Sequence, residues 1–472
     1  MSSPLEPLFS IQDTMAAVSK SSEEKHVAIL AFPFGSHPVV ALNLLRKLAP
    51  AAPNIQFSFL NTAKSTHSLL SKSTADDDVP HNIKFYQVPD GVPENHVLTG
   101  KNPVEAVNLF LMATPDNLKK GLEMAAAETG KRITCLLSDA FLSASAAAIA
   151  EDMGVPWVPT WYSFPCCLSA HVYTDLIRQL CVSNGCRTLD FIPGFSAMRV
   201  ADLPEEVLVP AGEEESPFSR TLSQIGSVLP RATAVVVGFF EELNSPPLNH
   251  DLKSKFQNVF YVGFLSMSLP APSSQPSSSD LTGCLSWLDD RKSGSVAYVG
   301  FGTLASLPHE ELVAVAEALQ ASEIQFLWSL NEESKELLPK GFLEKTKTHG
   351  KVVPWTPQTQ VLAHASVGVF VTHCGSNSIC ESIANGIPLI CRPFFGDHYM
   401  IGRMIEEWGI GVRVEGGAIT KNRLLKSLEL VLGHEKGKVM REKSQALKEL
   451  VLKGVDSATQ DFNSLVDLIS AS

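Results

Sequence analysis

Residues 355–398 read WTPQTQVLAHASVGVFVTHCGSNSICESIANGIPLICRPFFGDH, and this stretch decides the fold. VGVFVTH (367–373) is a short run of β-branched and aromatic residues, as expected of a strand buried on both faces. PLICRPF (388–394) is a second such run, and NSICESIANG between them reads as a helix. Strand, helix and strand in that order imply a right-handed crossover and a parallel sheet.

Working outward, the same alternation extends in both directions. SVAYVGFG (295–302), helical HEELVAVAEALQAS, IQFLWSL (324–330), KVVPW (351–355) and helical TQVLAHA precede the central segment. Upstream of them lies SLPAPSSQPSSSD (268–280), rich in Pro and Ser and without apolar periodicity, which reads as a linker. Beyond the linker a second series appears: HVAILAF (26–32), IQFSFLNT (55–62), IKFYQVP (83–89), ITCLLSD (133–139), PWVPTW, TAVVVGFFEEL (233–243) and NVFYVGFL (258–265), with helical stretches between. The chain ends in helical KNRLLKSLELVLG and REKSQALKELVLKG. The expected class is α/β, with two Rossmann-like doubly wound domains facing across a cleft. The expected division is a disordered extension over 1–25, a first domain over 26–267, a linker over 268–280, a second domain over 281–450 and a terminal helix over 451–472. Met15 is an alternative start, with the residues before it an upstream extension.

Composition narrows the function classes. The chain has 472 residues, 44% apolar and 19% charged, with a net charge of −12 at pH 7. That is a globular chain with room for two large domains. The acidic balance argues against nucleic acid or an anionic membrane surface as partner. No apolar run approaches the ~18 residues that span a bilayer, and the N-terminus lacks a secretory pattern. The nine cysteines contain no Cys-x-x-Cys, so neither a zinc site nor a disulfide framework is implied. A cytoplasmic enzyme is expected.

Three places carry chemistry. His37 lies just after the first strand, at the start of the following helix, whose dipole favours a neutral ring. A neutral imidazole facing a cleft is a general base near pH 7. Asp139 ends the strand ITCLLSD, at the same sheet edge. It either receives the imidazole's second N–H, or caps the next helix. No G-x-S-x-G elbow supplies a protein nucleophile, which leaves a substrate hydroxyl for that role. The second place is HCGSNSICES. Gly375 lets a ligand approach the backbone, and Ser376, Asn377 and Ser378 open a helix whose free N–H groups suit an anion. His373 stands beside them, and Glu381 one turn on suits ribose hydroxyls. The third is GFGTLA (300–305) with Glu332 and Glu333 downstream, a weak match to the dinucleotide pattern. It reads better as a backbone turn near phosphate or ribose.

The segment from Trp355 to His398 resembles the donor-binding box of plant family 1 UDP-sugar-dependent glycosyltransferases, in W-x-P-Q, in HCG-x-NS-x₂-ES and in the acidic residue before its end. HVAILAFPFGSHP, DGVPE, SDAFLSASAAAIAEDMGVPWVP and LSAHVY resemble flavonoid and anthocyanidin 3-O-glycosyltransferases. The likeness covers roughly residues 26–470. It implies a GT-B fold with the acceptor in the first domain, the UDP-sugar in the second, and the terminal helix packed back on the first. It also implies inverting hexose transfer to a flavonoid hydroxyl, without metal or other cofactor, by a monomer.

Carried over residue by residue, the resemblance makes His37 the base and Asp139 its partner. Trp355 stacks on uracil, Gln358 sits by the nucleoside and Glu381 holds the ribose. His373, Asn377 and Ser378 hold the pyrophosphate, with Thr303 near it. Asp397 and His398 meet the sugar, and His171 faces the acceptor. Phe34, Trp161 and Phe164 are candidates to pack against a planar acceptor, or to be core. Three residues depart from the family pattern. Ser376 stands where Trp is usual, with its main-chain N–H retained. Tyr162, an acceptor-binding candidate with Phe34 and His171, stands where related enzymes often carry a small hydroxyl residue that touches the sugar. His398 replaces Gln and is typical of galactose-using members, so UDP-galactose ranks first and UDP-glucose second. A nicotinamide-dependent reductase and a non-catalytic carrier are the readings from other classes. The reductase leaves the box from Trp355 to His398 unexplained, and the carrier has no need of a base.

Overall fold

A computed structural model describes residues 25–71, 79–98, 104–210, 214–267, 280–302 and 307–472. The expectations for residues 1–24, for most of the linker and for Thr303 therefore lie outside the described residues.

Two wholly parallel sheets organise the chain. The first contains β1 (His26–Leu30), β2 (Gln56–Thr62), β3 (Ile83–Val88), β4 (Cys135–Asp139), β5 (Trp157–Trp161), β6 (Val235–Val237) and β7 (Val259–Tyr261), in the order β3-β2-β1-β4-β5-β6-β7. The second contains β8 (Val296–Gly300), β9 (Gln325–Ser329), β10 (Gly350–Val353), β11 (Val367–Thr372), β12 (Leu389–Cys391) and β13 (Gly411–Arg413), in the order β10-β9-β8-β11-β12-β13. Helices cover both faces of each sheet, so β1, β4, β5, β8 and β11 are buried along their whole length. That burial explains why their sequences run apolar without alternation. TAVVVGFFEEL is shorter as a strand than expected. Only Val235–Val237 pair, and Glu241–Leu243 form a 3₁₀ turn.

Strand order reverses between β1 and β4 in one sheet and between β8 and β11 in the other. At such a switch the connections leave in opposite directions and open a crevice beyond the strands' carboxyl ends. His37 follows β1 and Asp139 ends β4. Gly302 follows β8 and His373 follows β11. Both candidate regions thus sit at switch points.

The helix Val455–Ala471 returns to the first sheet. Leu465 and Ile469 are fully buried in the same cluster as Val27, Ile29 and Leu137, and Asp461 accepts a hydrogen bond from the Tyr261 N–H at 2.7 Å. Burying two such aliphatic side chains contributes about 1.5–3 kcal/mol each. Arg413 further ties the halves to each other, pairing with Asp202 at 2.7 Å, and Arg403 donates to the Ala197 carbonyl at 2.8 Å.

Candidate active site

His37 opens the helix His37–Ala51, directly after the turn that leaves β1. Its Nδ1 lies 2.7 Å from Asp139 Oδ2. The other Asp139 oxygen accepts the Phe141 backbone N–H at 2.9 Å and caps the short 3₁₀ helix that follows β4. Both roles open to Asp139 in the sequence are therefore filled at once, one by each oxygen. Asp139 is 1% exposed, whereas the His37 ring keeps an open side. With Nδ1–H donated to the carboxylate, Nε2 is the free, basic nitrogen.

The helix N-terminus is not what governs the His37 ring. Burial pulls its pKa down, but the charge and hydrogen bond of Asp139, with Asp397 behind, carry it above the ordinary 6.5. A carboxylate in contact outweighs the partial charge of a helix end.

An aromatic wall surrounds the ring. Phe141 lies 4.8 Å from His37, Phe32 5.3 Å and Tyr162 6.0 Å, centroid to centroid. Half-buried Phe34 packs against Phe32 at 5.1 Å, on the edge of the same wall. Tyr162 turns its hydroxyl away, 2.6 Å from Thr160 Oγ1, so only its ring borders the cleft. Phe164 is core: it is 1% exposed and packs on Phe239 and Trp408. Trp161 is equally buried, behind Phe141, with its indole N–H on the Phe164 carbonyl. His171 is 4% exposed, against the Trp161 ring, so it does not line open space. Its Nδ1 has no partner, and burial brings its pKa down to about 4.

Across the cleft, β11 ends at Thr372 and the helix Ser376–Asn385 begins after Gly375. Gly375 is the N-cap, and no side chain closes that helix end. Ser376, Asn377 and Ser378 thus leave the first-turn N–H groups open, where an ordinary cap would satisfy one. His373 fits beside them because two neighbours are glycine. A Cβ at Gly302 would lie 2.7 Å from the His373 ring, and Gly302 has φ +73 besides. Gly302, with Gly375, where a Cβ would lie closer still to the same ring, therefore makes room for the imidazole. Glu332 and Glu333 are exposed on a separate helix. Burial and His398 bring the His373 pKa down to about 3, so the ring is neutral.

Trp355 is 53% exposed, a bare indole face at the cleft. Gln358 Nε2 donates to Glu381 Oε2 at 2.9 Å and to Ser378 Oγ at 3.0 Å. Burial pushes Glu381 up to about 7, against the pull of Gln358. Tyr298 orients this amide: its hydroxyl donates to Gln358 Oε1 at 3.1 Å and lies 2.8 Å from Thr356 Oγ1. Tyr298 was not among the sequence candidates. Its position within β8, one register step before Val299 and facing the 356–358 turn, is the only local signal, and it required the partner to be known.

Asp397 and His398 start the helix His398–Trp408. His398 is 6% exposed, packs against Phe395 and His373, and leaves Nδ1 without a partner. Burial, with Arg392 nearby, brings its pKa down to about 4. Ser376 Oγ donates to the Tyr162 carbonyl at 3.3 Å, and Ser163 Oγ donates to Asp397 Oδ2. The two halves of the cleft are in direct contact there. Among the described residues, no three His, Cys, Asp or Glu side chains gather as metal ligands would, and no helix is long and apolar enough to cross a membrane.

Known proteins are similar to this chain over nearly its whole length. The family model described as UDP-glucoronosyl and UDP-glucosyl transferase matches residues 278–459. An anthocyanidin 3-O-galactosyltransferase of Rhododendron delavayi is 50% identical over 463 residues, 95% of this chain and 98% of that protein. A flavonol 3-O-glucosyltransferase of Actinidia chinensis var. chinensis is 49% identical over 462 residues, 96% of this chain and 98% of that protein. A crystal structure of a UDP-glucose: anthocyanidin 3-O-glucosyltransferase in complex with UDP superposes with a TM-score of 0.89 at 48% identity, covering 96% of this chain and 100% of that one. The chain belongs to the UDP-glucoronosyl and UDP-glucosyl transferase family, as a plant family 1 UDP-dependent glycosyltransferase with the GT-B fold, close to the flavonoid 3-O-glycosyltransferases.

Proposed function

We propose that this enzyme transfers a hexose from a UDP-sugar to the 3-hydroxyl of a flavonol or anthocyanidin, with inversion and without a metal ion. The observation that carries the reading is the His37–Asp139 pair at one switch point, opposite an uncapped helix N-terminus at the other. One end can take a proton while the other receives a departing diphosphate.

The acceptor hydroxyl gives its proton to His37 Nε2 as its oxygen attacks the anomeric carbon. The bond from that carbon to the β-phosphate oxygen breaks, and UDP leaves with the electron pair. Asp139 stabilises the imidazolium that forms. The N–H groups at Asn377 and Ser378, and neutral His373, meet the charge that develops on the leaving phosphate. Those groups are in place before reaction, which is what a metal ion would otherwise supply. Trp355 stacks on uracil, Gln358 lies by the nucleoside, and Glu381 takes the ribose hydroxyls. The half-buried rings of Phe34, Phe141 and Tyr162 suit a flat acceptor. Asp397 and His398 meet the sugar.

UDP-galactose is the favoured donor, because His398 leaves a buried ring nitrogen free where the sugar's 4-hydroxyl would come. UDP-glucose is the second reading, supported by the flavonol 3-O-glucosyltransferase at nearly the same identity. The test is turnover of both UDP-sugars against a panel of flavonols and anthocyanidins, with the linkage position and anomeric configuration read by NMR. A β-linked 3-O-glycoside is expected. An α-linked product, or UDP binding without transfer, overturns the reading.

A further inference from the structure

We infer that Ser163 is a positioning residue for the donor sugar: its hydroxyl holds the Asp397 carboxylate from across the cleft, so that the second carboxylate oxygen is aimed at the sugar. The inference rests on the reading that Asp397 meets the sugar.

Asp397 is the N-cap of the helix His398–Trp408, where an Asp side chain ordinarily accepts an N–H of its own first turn. Here it makes no such bond. Its Oδ2 instead accepts from Ser163 Oγ, a residue 234 positions earlier in the chain. Ser163 stands two residues beyond β5, in the other half of the molecule. A serine hydroxyl has one hydrogen, so this bond commits its donor to Asp397. Among the described residues no second side chain bonds the carboxylate; its own backbone N–H also faces it, and the oxygen that Ser163 does not hold is the one left to accept from a sugar hydroxyl.

The carboxylate is poised within a set of ionisable groups. Burial pushes the Asp397 pKa up, while Ser163, His37 and His171 pull it down. The neighbouring Tyr162 carbonyl accepts from Ser376 Oγ at 3.3 Å. Two consecutive residues of the first half thus grip the starts of two separate helices of the second. Because Arg413–Asp202 and Arg403–Ala197 join the halves elsewhere, loss of the Ser163 bond should disturb Asp397 without opening the cleft.

The test compares Ser163→Ala, Ser163→Thr, Asp397→Asn and the double variant Ser163→Ala/Asp397→Asn, with two readouts. One is kcat/KM for the preferred UDP-sugar, and the other is the calorimetric Kd of UDP, which lacks the sugar. Ser163→Ala should lower kcat/KM about tenfold, the usual effect of losing a hydrogen bond to a charged group. It should leave the UDP Kd within about twofold, and Ser163→Thr should restore most of the rate. In the Asp397→Asn background the alanine change should cost less than about twofold more, because a residue acting only through Asp397 has nothing left to position. Undiminished kcat/KM in Ser163→Ala overturns the inference. So does an effect that multiplies with Asp397→Asn, or an equal weakening of UDP. If Asp397→Asn itself transfers normally, the reading of the sugar subsite fails and the inference falls with it. If Asp397→Asn is impaired and Ser163→Ala is not, the inference alone fails.

Discussion

His37 Nδ1 and Asp139 Oδ2 lie 2.7 Å apart, although 102 positions separate them in the chain. Parallel pairing of β1 with β4 brings them together, since Leu30 pairs with Ser138 and the two side chains leave the same sheet edge. The bond fixes which ring nitrogen is basic, and the chemistry follows from that.

His37→Ala should lower kcat by roughly 10²–10⁴ at saturating substrates, the span usual for a positioned base. UDP binding should be retained. Steady-state rates with one flavonol acceptor check this, and near-normal turnover would remove His37 from the mechanism.

The pH profile should carry the signature of the pair. His37 acts as a base only when deprotonated, and its pKa lies above 6.5. The rate should therefore fall on the acid side, along a limb whose midpoint is higher than that of a free histidine. Asp139→Asn removes the charge that raises it, so the limb should move to lower pH while the plateau drops. An unmoved midpoint would show that Asp139 does not set the His37 pKa.

Glu381 should give donor binding its own pH dependence. Its carboxyl is pushed up to about 7 by burial, and ribose hydroxyls are accepted best by the ionised form. As pH falls through 7 the carboxylate gains a proton, so KM for the UDP-sugar should rise, by up to about tenfold per unit well below that point. Glu381→Gln should raise KM at pH 8 and flatten the dependence. A Glu381→Gln profile parallel to wild type would assign the titration elsewhere.

Excess EDTA should leave activity intact. On the proposed reading the charge on the leaving diphosphate would be met by the backbone N–H groups at Ser376–Ser378, where the N-cap Gly375 supplies no side-chain cap. Loss of turnover in EDTA, restored by Mg²⁺ or Mn²⁺, would show that the diphosphate is held differently.

Sugar choice should turn on His398. Galactose and glucose differ only at the 4-hydroxyl, and a hydroxyl left unpaired in one epimer separates them by about 1–3 kcal/mol, or one to two decades in kcat/KM. Wild type should prefer UDP-galactose, and His398→Gln should shift preference toward UDP-glucose. A clear wild-type preference for UDP-glucose would overturn the donor assignment and leave the transferase intact.

The sequence by itself determined the two parallel α/β units, because strands covered on both faces must be apolar throughout, and their boundaries are marked by Gly, Pro and Asn. It also located the open helix end at Ser376–Ser378, since strand, glycine and helix follow one another within ten residues and need no distant partner. His37 and Asp139 were legible as strand-end residues, but their bond was not. Nor was the choice between partner and cap for Asp139, which the structure answers with both. Tertiary structure alone decided the direction in which the His37 pKa moves, because a contacting carboxylate outweighs the helix dipole that local sequence suggests. It alone sent Phe164 into the core and kept Phe34 at the cleft edge, since aromatic residues look the same in sequence on either side of a wall. Tyr298 behind Gln358, Phe141 beside His37 and Ser163 on Asp397 were equally invisible. Each acts through a partner dozens to hundreds of residues away, and no periodicity records which way a side chain will point once two sheets have been brought face to face.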